Sequence, residues 1–439
     1  MQSIQYFLTK TDKILDEINP VKIYGKVTKA VGLLVEGVGI NASISDICEI
    51  ITDENTVETE VVGFKDGTIL FSPLGEIYGI SAGAKISLKG RQSYIPLNDD
   101  ILGRIIDGTG HPIDSGEPLK GKPFPIYKEA INPLEREIIK QPLDLGIRAI
   151  NALITCGRGQ KLGIMSGSGV GKSVLLGMIA RYTDADVNVI ALIGERGREV
   201  REFIQNDLAE GLQKSVVVVS TSDTPALARI RGAFLATAIA EYFREKGKHV
   251  LLLMDSLTRF AMAQREIGLA AGEPPTMKGY PPSVFKLMPK LLERVGVTKN
   301  GGSITGIYTV LVEGDDLTDP VADAARAILD GHVVLSRELA NKNHYPAIDP
   351  LRSVSRLMKD IVDEKHLRCA GRLLEVLATY ARYEDIINIG AYKEGTNPEV
   401  DFAIRMMDRI NSFLRQDINE KASFEESAKA LQSLFGEHS

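Results

Sequence analysis

Residues 166–173 of this 439-residue chain read SGSGVGKS and stand between a short apolar run, 162–165, and a longer apolar segment, 174–180. This order predicts a strand, a glycine-rich turn and a helix. Gly167, Gly169 and Gly171 would let backbone N–H groups converge on a polyphosphate, and the positive end of the helix would favour its negative charge. The segment is therefore predicted to bind phosphate groups.

One position departs from the general pattern of such loops, because Ser166 stands where a glycine is usual and Gly167 follows one place later. Lys172 is expected to reach the β- and γ-phosphates of a nucleotide, and the hydroxyl of Ser173 to complete the shell of a magnesium ion. A flexible turn with a chance lysine is the alternative, which the flanking strand and helix patterns disfavour. The residues predicted to bind the nucleotide here are Gly167, Ser168, Gly169, Val170, Gly171, Lys172, Ser173 and Val174.

The composition limits the classes of protein to which the chain can belong. The length allows about three domains, and a net charge of −6 with 25% charged residues argues against nucleic acid as a partner. Cys48, Cys156 and Cys369 are far apart, as expected of reduced thiols in the cytoplasm. The sequence has neither an apolar run of about 18 residues nor a secretory signal. We expect a soluble cytoplasmic protein that reaches a membrane only through partners.

The first 97 residues divide into two patterns. Apolar residues recur at three- and four-residue steps over residues 1–19 and predict an amphipathic helix, which either packs on its own domain or docks a partner. Short alternating segments broken by glycines follow over residues 20–97 and predict a β-barrel domain.

Glycine and proline are dense over residues 103–142, where we expect the connection between domains. Strand-like apolar runs then alternate with helical patterns, which is typical of a parallel sheet buried on both faces. These runs are residues 162–165, 187–193, 216–219, 250–254 and 304–312. From about residue 355 the pattern is helical. The predicted fold is an α/β chain with a β-barrel, a P-loop domain with a mainly parallel sheet over residues 98–354 that includes the connection, and a helical domain over residues 355–439.

Carboxylates stand at the ends of two predicted strands. Asp255 ends the apolar run VLLLMD and is expected to hold magnesium through its water shell. The sequence GERGRE, residues 194–199, directly follows another strand, at the edge where ligands of parallel sheets bind. Glu195 is the candidate that would orient and polarise an attacking water. A solvated charge cluster that opens a helix is the alternative interpretation of this motif.

A proline-bracketed loop, residues 345–356, carries one aromatic residue and two arginines. Tyr345 would either stack on an adenine base or cover the core. Arg356 would either stabilise transition-state charge or pair with a surface carboxylate. The loop alone does not decide between these roles.

Taken together, these segments resemble the hexameric ATPases related to the catalytic subunits of rotary ATP synthases. The likeness covers nearly the whole chain and includes GDD at residues 314–316 and PAIDPLRSVS at residues 346–355. Within that superfamily the chain looks most like the ATPase of type III protein export, in its flagellar form. The segments RFAMAQREIG (259–268), GYPPSVF (279–285) and PKLLER (289–294) carry this closer resemblance.

The resemblance implies a RecA-like central domain, ATP and Mg²⁺ as ligands, and a role for each candidate residue. Lys172 and Ser173 would bind phosphate and magnesium, and Asp255 would support the magnesium. Glu199 would support the magnesium site without contacting the ion directly. Glu195 would activate water, and Arg196 would approach the γ-phosphate. Tyr345 would lie beside adenine, and Arg356 would act on the nucleotide of a neighbouring subunit. Because one chain carries both Glu195 and Arg356, a homohexameric ring is expected.

The resemblance also implies partners. The N-terminal helix would bind a peripheral stalk (stator) protein, and the ring would meet a coiled-coil central stalk protein, the membrane export gate and chaperone-bound substrates at the inner face of the membrane. The catalytic subunit of a rotary synthase is the alternative, although the helical domain lacks the long acidic segment of that subunit. A non-catalytic nucleotide-binding scaffold and a ring helicase are weaker alternatives. The sequence does not distinguish a flagellar from an injection apparatus.

Overall fold

A computed structural model of the chain describes residues 22–90, 93–299, 301–312 and 318–436. The predicted helix at residues 1–19 and the GDD segment at residues 314–316 lie outside the described residues. The chain divides into two compact units, with the boundary between Ser93 and Tyr94.

The first unit is a closed antiparallel barrel, as predicted. Its strands are Gly25–Val31 (β1), Leu34–Val38 (β2), Ile47–Ile51 (β3), Thr56–Lys65 (β4), Thr68–Pro73 (β5) and Lys85–Gly90 (β6), in the order β1-β2-β5-β4-β3-β6 around the barrel. Side chains that alternate along the strands fill the interior; Cys48, Ile50 and Phe71 are fully buried there. Pairing of β6 with β1 closes the barrel.

The second unit contains a nine-stranded sheet and a separate strand pair. Its strands are Tyr94–Leu97 (β7), Ile105–Asp107 (β8), Lys122–Pro125 (β9), Lys161–Ser166 (β10), Val187–Ile193 (β11), Ser215–Ser220 (β12), His249–Asp255 (β13), Gly296–Val297 (β14), Ser303–Leu311 (β15), Gly331–Leu335 (β16) and Ile348–Ser355 (β17). The order across the sheet is β17-β16-β10-β15-β13-β11-β12-β8, and β14 pairs with β15. All neighbours along that order are parallel except β17, which runs antiparallel to β16.

Each of the five strand-like runs in the sequence forms a strand of this sheet. Their residues are almost all buried, because helices cover both faces and no strand face meets water. The helices are Arg148–Leu153 (α1), Lys172–Tyr182 (α2), Gly197–Glu202 (α3), Ala226–Glu245 (α4), Leu257–Ala270 (α5), Pro282–Leu292 (α6), Pro320–Ile328 (α7), Arg337–Asn341 (α8), Met358–Ile361 (α9), Glu364–Asn388 (α10), Pro398–Leu414 (α11) and Phe424–Leu434 (α12).

Helix α4 packs directly on the sheet through small residues. A β-carbon placed on Gly232 would lie 2.6 Å from the Ser220 hydroxyl oxygen and 3.2 Å from the α-carbon of Gly108. Glycine is required at this contact because any side chain would push the helix away from the strand.

The glycine- and proline-rich stretch 103–142 is part of the second unit, within the 98–354 range predicted to include it. It contains two short strands that the sequence pattern did not predict: β8 extends the large sheet beside β12, and β9 pairs with β7. The first unit ends at Ser93 rather than at 97, because β7 pairs within the second unit. Short strands of three and four residues give too little periodicity to be recognised from sequence.

The C-terminal part is helical, as predicted, and shares one continuous core with the sheet. The buried ring of His366 on α10 hydrogen-bonds to the carbonyl oxygen of Ala152 on α1 at 2.7 Å and stacks on Phe424 of α12. One histidine therefore links three helices. Among the described residues, no helix combines the length and apolarity needed to cross a membrane.

A buried ion pair joins α4 to the segment that follows α6. The Arg294 side chain is fully buried, and its guanidinium donates to both carboxylate oxygens of Glu241 at 2.9 and 2.5 Å. It also donates to the carbonyl oxygen of Ile126 at 2.8 Å. The nearest other cation to Glu241 is Arg244, at 3.8 Å.

We predict that Arg294→Met destabilises the second unit by about 3 to 5 kcal/mol, because it leaves the Glu241 carboxylate buried with a poorer partner. Thermal unfolding followed by circular dichroism should show a midpoint lower by several degrees. Lys120→Met, which removes an exposed partner of Glu117, is the control and should leave the midpoint unchanged. Equal midpoints for the two variants would contradict the assigned role of the pair.

Candidate functional site

The loop between β10 and α2 has the backbone geometry that its glycines allow. Gly169 and Gly171 have φ values of 76° and 86°, in the left-handed region, and Gly171 is the residue that caps α2. Backbone in this conformation can turn its N–H groups towards an anion at the start of the helix. A β-carbon on Gly171 would also lie 3.3 Å from a ring carbon of Tyr345, so a side chain there would disturb the contact.

The backbone conformation of Ser166 explains why a serine can stand where the usual loop pattern has a glycine. It is the last residue of β10 and its backbone is ordinary strand, so the position does not need the conformational freedom of glycine. The side chain is buried, and its hydroxyl has no hydrogen-bond partner among the described residues. The turn begins only at Gly167.

The ammonium group of Lys172 lies between two carboxylates. Its Nζ is 2.5 Å from Oδ1 of Asp255 and 3.7 Å from Oε1 of Glu195, and all three side chains are at least four-fifths buried. The hydroxyl of Thr309 donates to the same Asp255 oxygen at 2.6 Å. The cluster therefore combines one ammonium group and two carboxyl groups where water is largely excluded.

The sheet brings these residues together from distant parts of the sequence. Strands β10, β15, β13 and β11 are consecutive and parallel, so their carboxyl ends meet at one edge. Lys172 follows β10, Asp255 ends β13, and Glu195 follows β11. The backbone of Glu195 is held in place because its carbonyl oxygen accepts from the N–H of Ser222 at 3.0 Å.

The environment of Glu195 raises the pKa of its carboxyl group from 4.5 to about 7. Burial is the largest cause, followed by the negative charge of Asp255; the positive charge of Lys172 opposes both. A hydrogen bond with the Glu199 carboxyl and its charge raise the pKa further. A carboxyl group with a pKa near neutrality can exchange a proton at physiological pH.

Glu199 and Arg196 lie on the open side of this cluster. The Arg196 guanidinium donates to Oε1 of Glu199 at 2.9 Å, and its side chain is 76% exposed. Arg196 therefore points to solvent and Glu199 stands between it and Glu195. The predicted approach of Arg196 to a γ-phosphate remains a prediction.

Tyr345 is the aromatic residue nearest to the phosphate-binding loop. Its side chain is 41% exposed, and its ring carbons face Gly171. The side chains of Ser173 and Val174 at the start of α2 are also exposed. The predicted base-contacting residue thus lies beside the predicted phosphate-binding residues, although it is more than 160 residues away in sequence.

Arg356 lies at the other end of the sheet. Its N–H donates to the carbonyl oxygen of Asp330, whose carboxylate accepts from the N–H of Lys161 at the start of β10. The loop leaves the opposite end of β10, after Ser166, about 16 Å from Lys161 at ~3.3 Å per residue. The Arg356 side chain is exposed and donates to the carbonyl oxygen of Arg326 at 3.3 Å. Arg356 therefore does not join the cluster within its own chain.

The oxygen donors of the cluster suit a magnesium ion that also binds phosphate. Ser173 offers an exposed hydroxyl and Asp255 a carboxylate, and Mg²⁺ prefers such hard oxygen ligands. Within the described part of the chain, no group of three His, Cys, Asp or Glu side chains could hold an ion by itself. An ion here would share its shell with phosphate oxygens and water, as is usual for Mg²⁺.

Known proteins match this chain over nearly its full length. Residues 146–355 match the nucleotide-binding domain of the ATP synthase alpha/beta family, and residues 362–433 match the C-terminal domain of the type III secretion ATPase EscN. The flagellum-specific ATP synthase of Bacillus subtilis is 50% identical over 97% of this chain and 99% of its own length. The type 3 secretion system ATPase of Xanthomonas euvesicatoria is 48% identical over 94% of each chain. This chain belongs to the family of flagellar and type III secretion ATPases.

Solved structures of the family have the same fold. The assembled ATPase EscN from the type III secretion system of enteropathogenic E. coli superposes with a TM-score of 0.88 at 45% identity, covering 93% of this chain and 99% of that one. A second structure, EscN in complex with its central stalk EscO, gives a TM-score of 0.86. The predicted barrel, P-loop domain and helical region are thereby confirmed.

Two residues of this ATPase site were not singled out from the sequence. Thr309, in the middle of the buried strand β15, fixes the Asp255 carboxylate and gives no sequence signal beyond a polar residue in an apolar run. The side chain of Arg259 packs over Gly194, the residue before Glu195, where a β-carbon would lie 2.7 Å from the Arg259 β-carbon. Its Nε is buried without a hydrogen-bond partner among the described residues.

The raised pKa of Glu195 predicts a pH-dependent cost to stability. The wild type should lose stability as pH rises from 4.5 through about 7, because the folded state resists ionisation that the unfolded state accepts. We therefore predict that Glu195→Gln, which does not titrate, melts at a higher temperature than the wild type at pH 8 and at the same temperature below pH 4.5. Melting curves without nucleotide test this. A constant difference between the two proteins at every pH would contradict it.

Proposed function

We propose that this chain hydrolyses ATP with Mg²⁺ at the carboxyl edge of its parallel sheet, in support of type III protein export. The observation that carries the proposal is the Lys172 ammonium held between Asp255 and Glu195 at the mouth of the glycine loop. A bound triphosphate would compete for that ammonium with the two carboxylates. Lys172 would then turn from the carboxylates to the β- and γ-phosphates.

Glu195 is the proposed group that orients and polarises the attacking water. Its carboxylate is close to Lys172, and its raised pKa makes it a better proton acceptor than an ordinary glutamate. Arg196 and Glu199 would reorganise when a γ-phosphate arrives, with Arg196 leaving Glu199 for the phosphate. Tyr345 would contact the adenine base from its place beside Gly171.

Magnesium, held through the Ser173 hydroxyl and Asp255 with Glu199 in support, would neutralise charge on the β- and γ-phosphates. The chain itself contributes the orientation of these ligands. Thr309 fixes the Asp255 carboxylate by donating to Oδ1, which leaves Oδ2 of Asp255 free of that bond and able to face the ion's water shell.

Arg356 is proposed to act on the nucleotide of a neighbouring subunit in a homohexameric ring. It lies at the opposite end of β10 from its own loop, about five residue steps away, and is exposed just after the edge strand β17. An arginine supplied in trans is worth about 10³ to 10⁵ in turnover. EscN was solved as an assembled ATPase, and this chain covers 99% of the EscN chain. That similarity supports assembly of the present chain into a ring.

The export role follows from the relatives rather than from the residues of the site. Flagellum-specific ATP synthases and type 3 secretion system ATPases are similarly close to this chain, so we propose a place at a type III export apparatus, with the flagellar form as the leading assignment. A coiled-coil central stalk protein is the first proposed partner, since EscN binds its central stalk EscO. A stator protein bound through residues 1–19, the membrane export gate, chaperone-bound substrates and a position at the cytoplasmic face of the membrane complete the proposal.

The C-terminal region argues against the rotary synthase alternative. Residues 362–433 match the C-terminal domain of the secretion ATPase EscN rather than a synthase domain. A chain of this kind would form its sites between identical copies and would not need a second type of subunit.

We predict that Glu195→Gln lowers the turnover number by about 10² to 10⁴ while the dissociation constant of MgATP changes little. The amide keeps the shape of the side chain but cannot accept a proton. Phosphate release and equilibrium binding are the two measurements. Glu202→Gln, an exposed change on helix α3, which begins two residues after Glu195, is the matched control and should retain wild-type turnover. Full turnover in the Glu195 variant would remove that residue from the mechanism.

For the shared site we predict complementation between two inactive variants. Arg356→Ala should still assemble but hydrolyse ATP slowly, whereas Lys359→Ala, an exposed change on the nearby helix α9, should be active. Mixing Arg356→Ala with Glu195→Gln subunits should restore about a quarter of wild-type activity, because random mixing in a ring makes about that share of interfaces complete. Additive residual activities without recovery would contradict a site shared between subunits.

A further inference from the structure

The segment 415–420, between α11 and α12, contacts several separate parts of the ATPase unit. The N–H of Gln416 donates to the carbonyl oxygen of Tyr345 at 3.0 Å. Arg148 on α1 donates to the carbonyl oxygens of Phe413 and Arg415 at 3.2 and 3.0 Å and pairs with Glu420. A short connection between helices is thus fixed to the residue that lies beside the phosphate-binding loop.

Gln416 is the anchor of this segment. Its side chain is 6% exposed, and Nε2 donates to the carbonyl oxygens of Gly146 and Glu420, both at 2.8 Å. Oε1 accepts from the N–H of Arg148 at 2.7 Å. Both N–H groups and the oxygen of the amide are therefore used, which only an amide of this length can do here.

The same segment is held by the far end of the helix that begins at the phosphate-binding loop. The hydroxyl of Tyr182 and Nη2 of Arg181, at the end of α2, donate to the carbonyl oxygen of Ile418 at 2.9 and 2.8 Å. Lys172 is the first residue of α2. The position of the segment is thereby fixed relative to the loop at one point and to Tyr345 at another.

We infer that Gln416 is a positioning residue for nucleotide binding: it holds the Tyr345 backbone so that the ring stays over Gly171 and can meet the base. This inference rests on the proposed function, because it assigns Tyr345 to the base of a bound nucleotide. Gln416 itself lies behind Tyr345 and acts only through it.

The geometry separates this effect from the chemistry. Lys172, Asp255 and Glu195 are held by the sheet and by Thr309 and Ser222, none of which contacts the 415–420 segment in the hydrogen bonds above. Loss of the Gln416 amide would leave the carbonyl oxygen of Gly146 and the N–H of Arg148 without these partners, and the segment would shift. Affinity for the base should fall, while affinity for the phosphates should persist.

The test compares MgATP with magnesium tripolyphosphate, which has the phosphates but no base. Equilibrium dissociation constants are measured for full-length wild type, Gln416→Leu, Tyr345→Ala and the double variant. We expect Gln416→Leu to weaken ATP binding roughly tenfold, the scale of one base–aromatic stack, and to leave tripolyphosphate binding unchanged. The double variant should bind ATP no more weakly than Tyr345→Ala, because both changes remove the same contact.

Gln432→Leu on α12 is the matched control and should bind both ligands as the wild type does. If Gln416→Leu fails to fold, Gln416→Glu replaces it, since it keeps the shape and the acceptor but loses both donors. Equal weakening of both ligands, additive effects in the double variant, or unchanged ATP binding would each overturn the inference. Wild-type protein that binds tripolyphosphate and ATP equally would instead overturn the assignment of Tyr345, and wild type that binds neither would overturn the proposed function as well.

Discussion

The ion cluster of Lys172, Asp255 and Glu195 is the interaction on which the site depends. An ammonium group with limited access to water is stabilised by two carboxylates, and each carboxylate is in turn stabilised by that ammonium. Removal of the Lys172 ammonium would leave two buried carboxyl groups close together without their cation. The cluster also makes the Glu195 carboxyl group difficult to ionise, which lowers the stability of the folded state above the raised pKa. The same raised pKa suits a residue that is proposed to accept a proton. The stability of the fold and the proposed catalytic role of Glu195 thus depend on the same cluster.

The parallel sheet makes this cluster possible. Its central strands end at one edge, where three polar side chains separated by tens of residues in sequence converge. The same strand order takes Arg356 to the opposite end of β10, away from the cluster. A chain that builds most of a nucleotide site at one edge and exposes an arginine at another suits assembly of identical copies, in which each interface completes one site. The proposed ring is a consequence of that separation.

The helical region is more than a cover for the sheet. Its core is continuous with that of the sheet, and the segment 415–420 binds both the residue beside the phosphate-binding loop and the end of the helix that the loop begins. The segment therefore links the C-terminal helices to Tyr345 and to the far end of α2, the end away from Lys172.

The sequence by itself determined the local features, because they depend on neighbouring residues: the glycine loop, the five buried strands, the barrel and the helical C-terminal part follow from spacing and apolar periodicity. The same reasoning placed Asp255 and Glu195 at strand ends. It missed the strands β8 and β9 within residues 103–142, since short irregular strands carry almost no periodic signal. It also could not find Thr309, Arg259 or Gln416, whose roles depend on contacts with residues far away in the chain. Only the tertiary structure decided that Tyr345 lies over Gly171 and that Arg356 does not reach its own loop, because strand order and pairing, not sequence distance, fix which side chains meet.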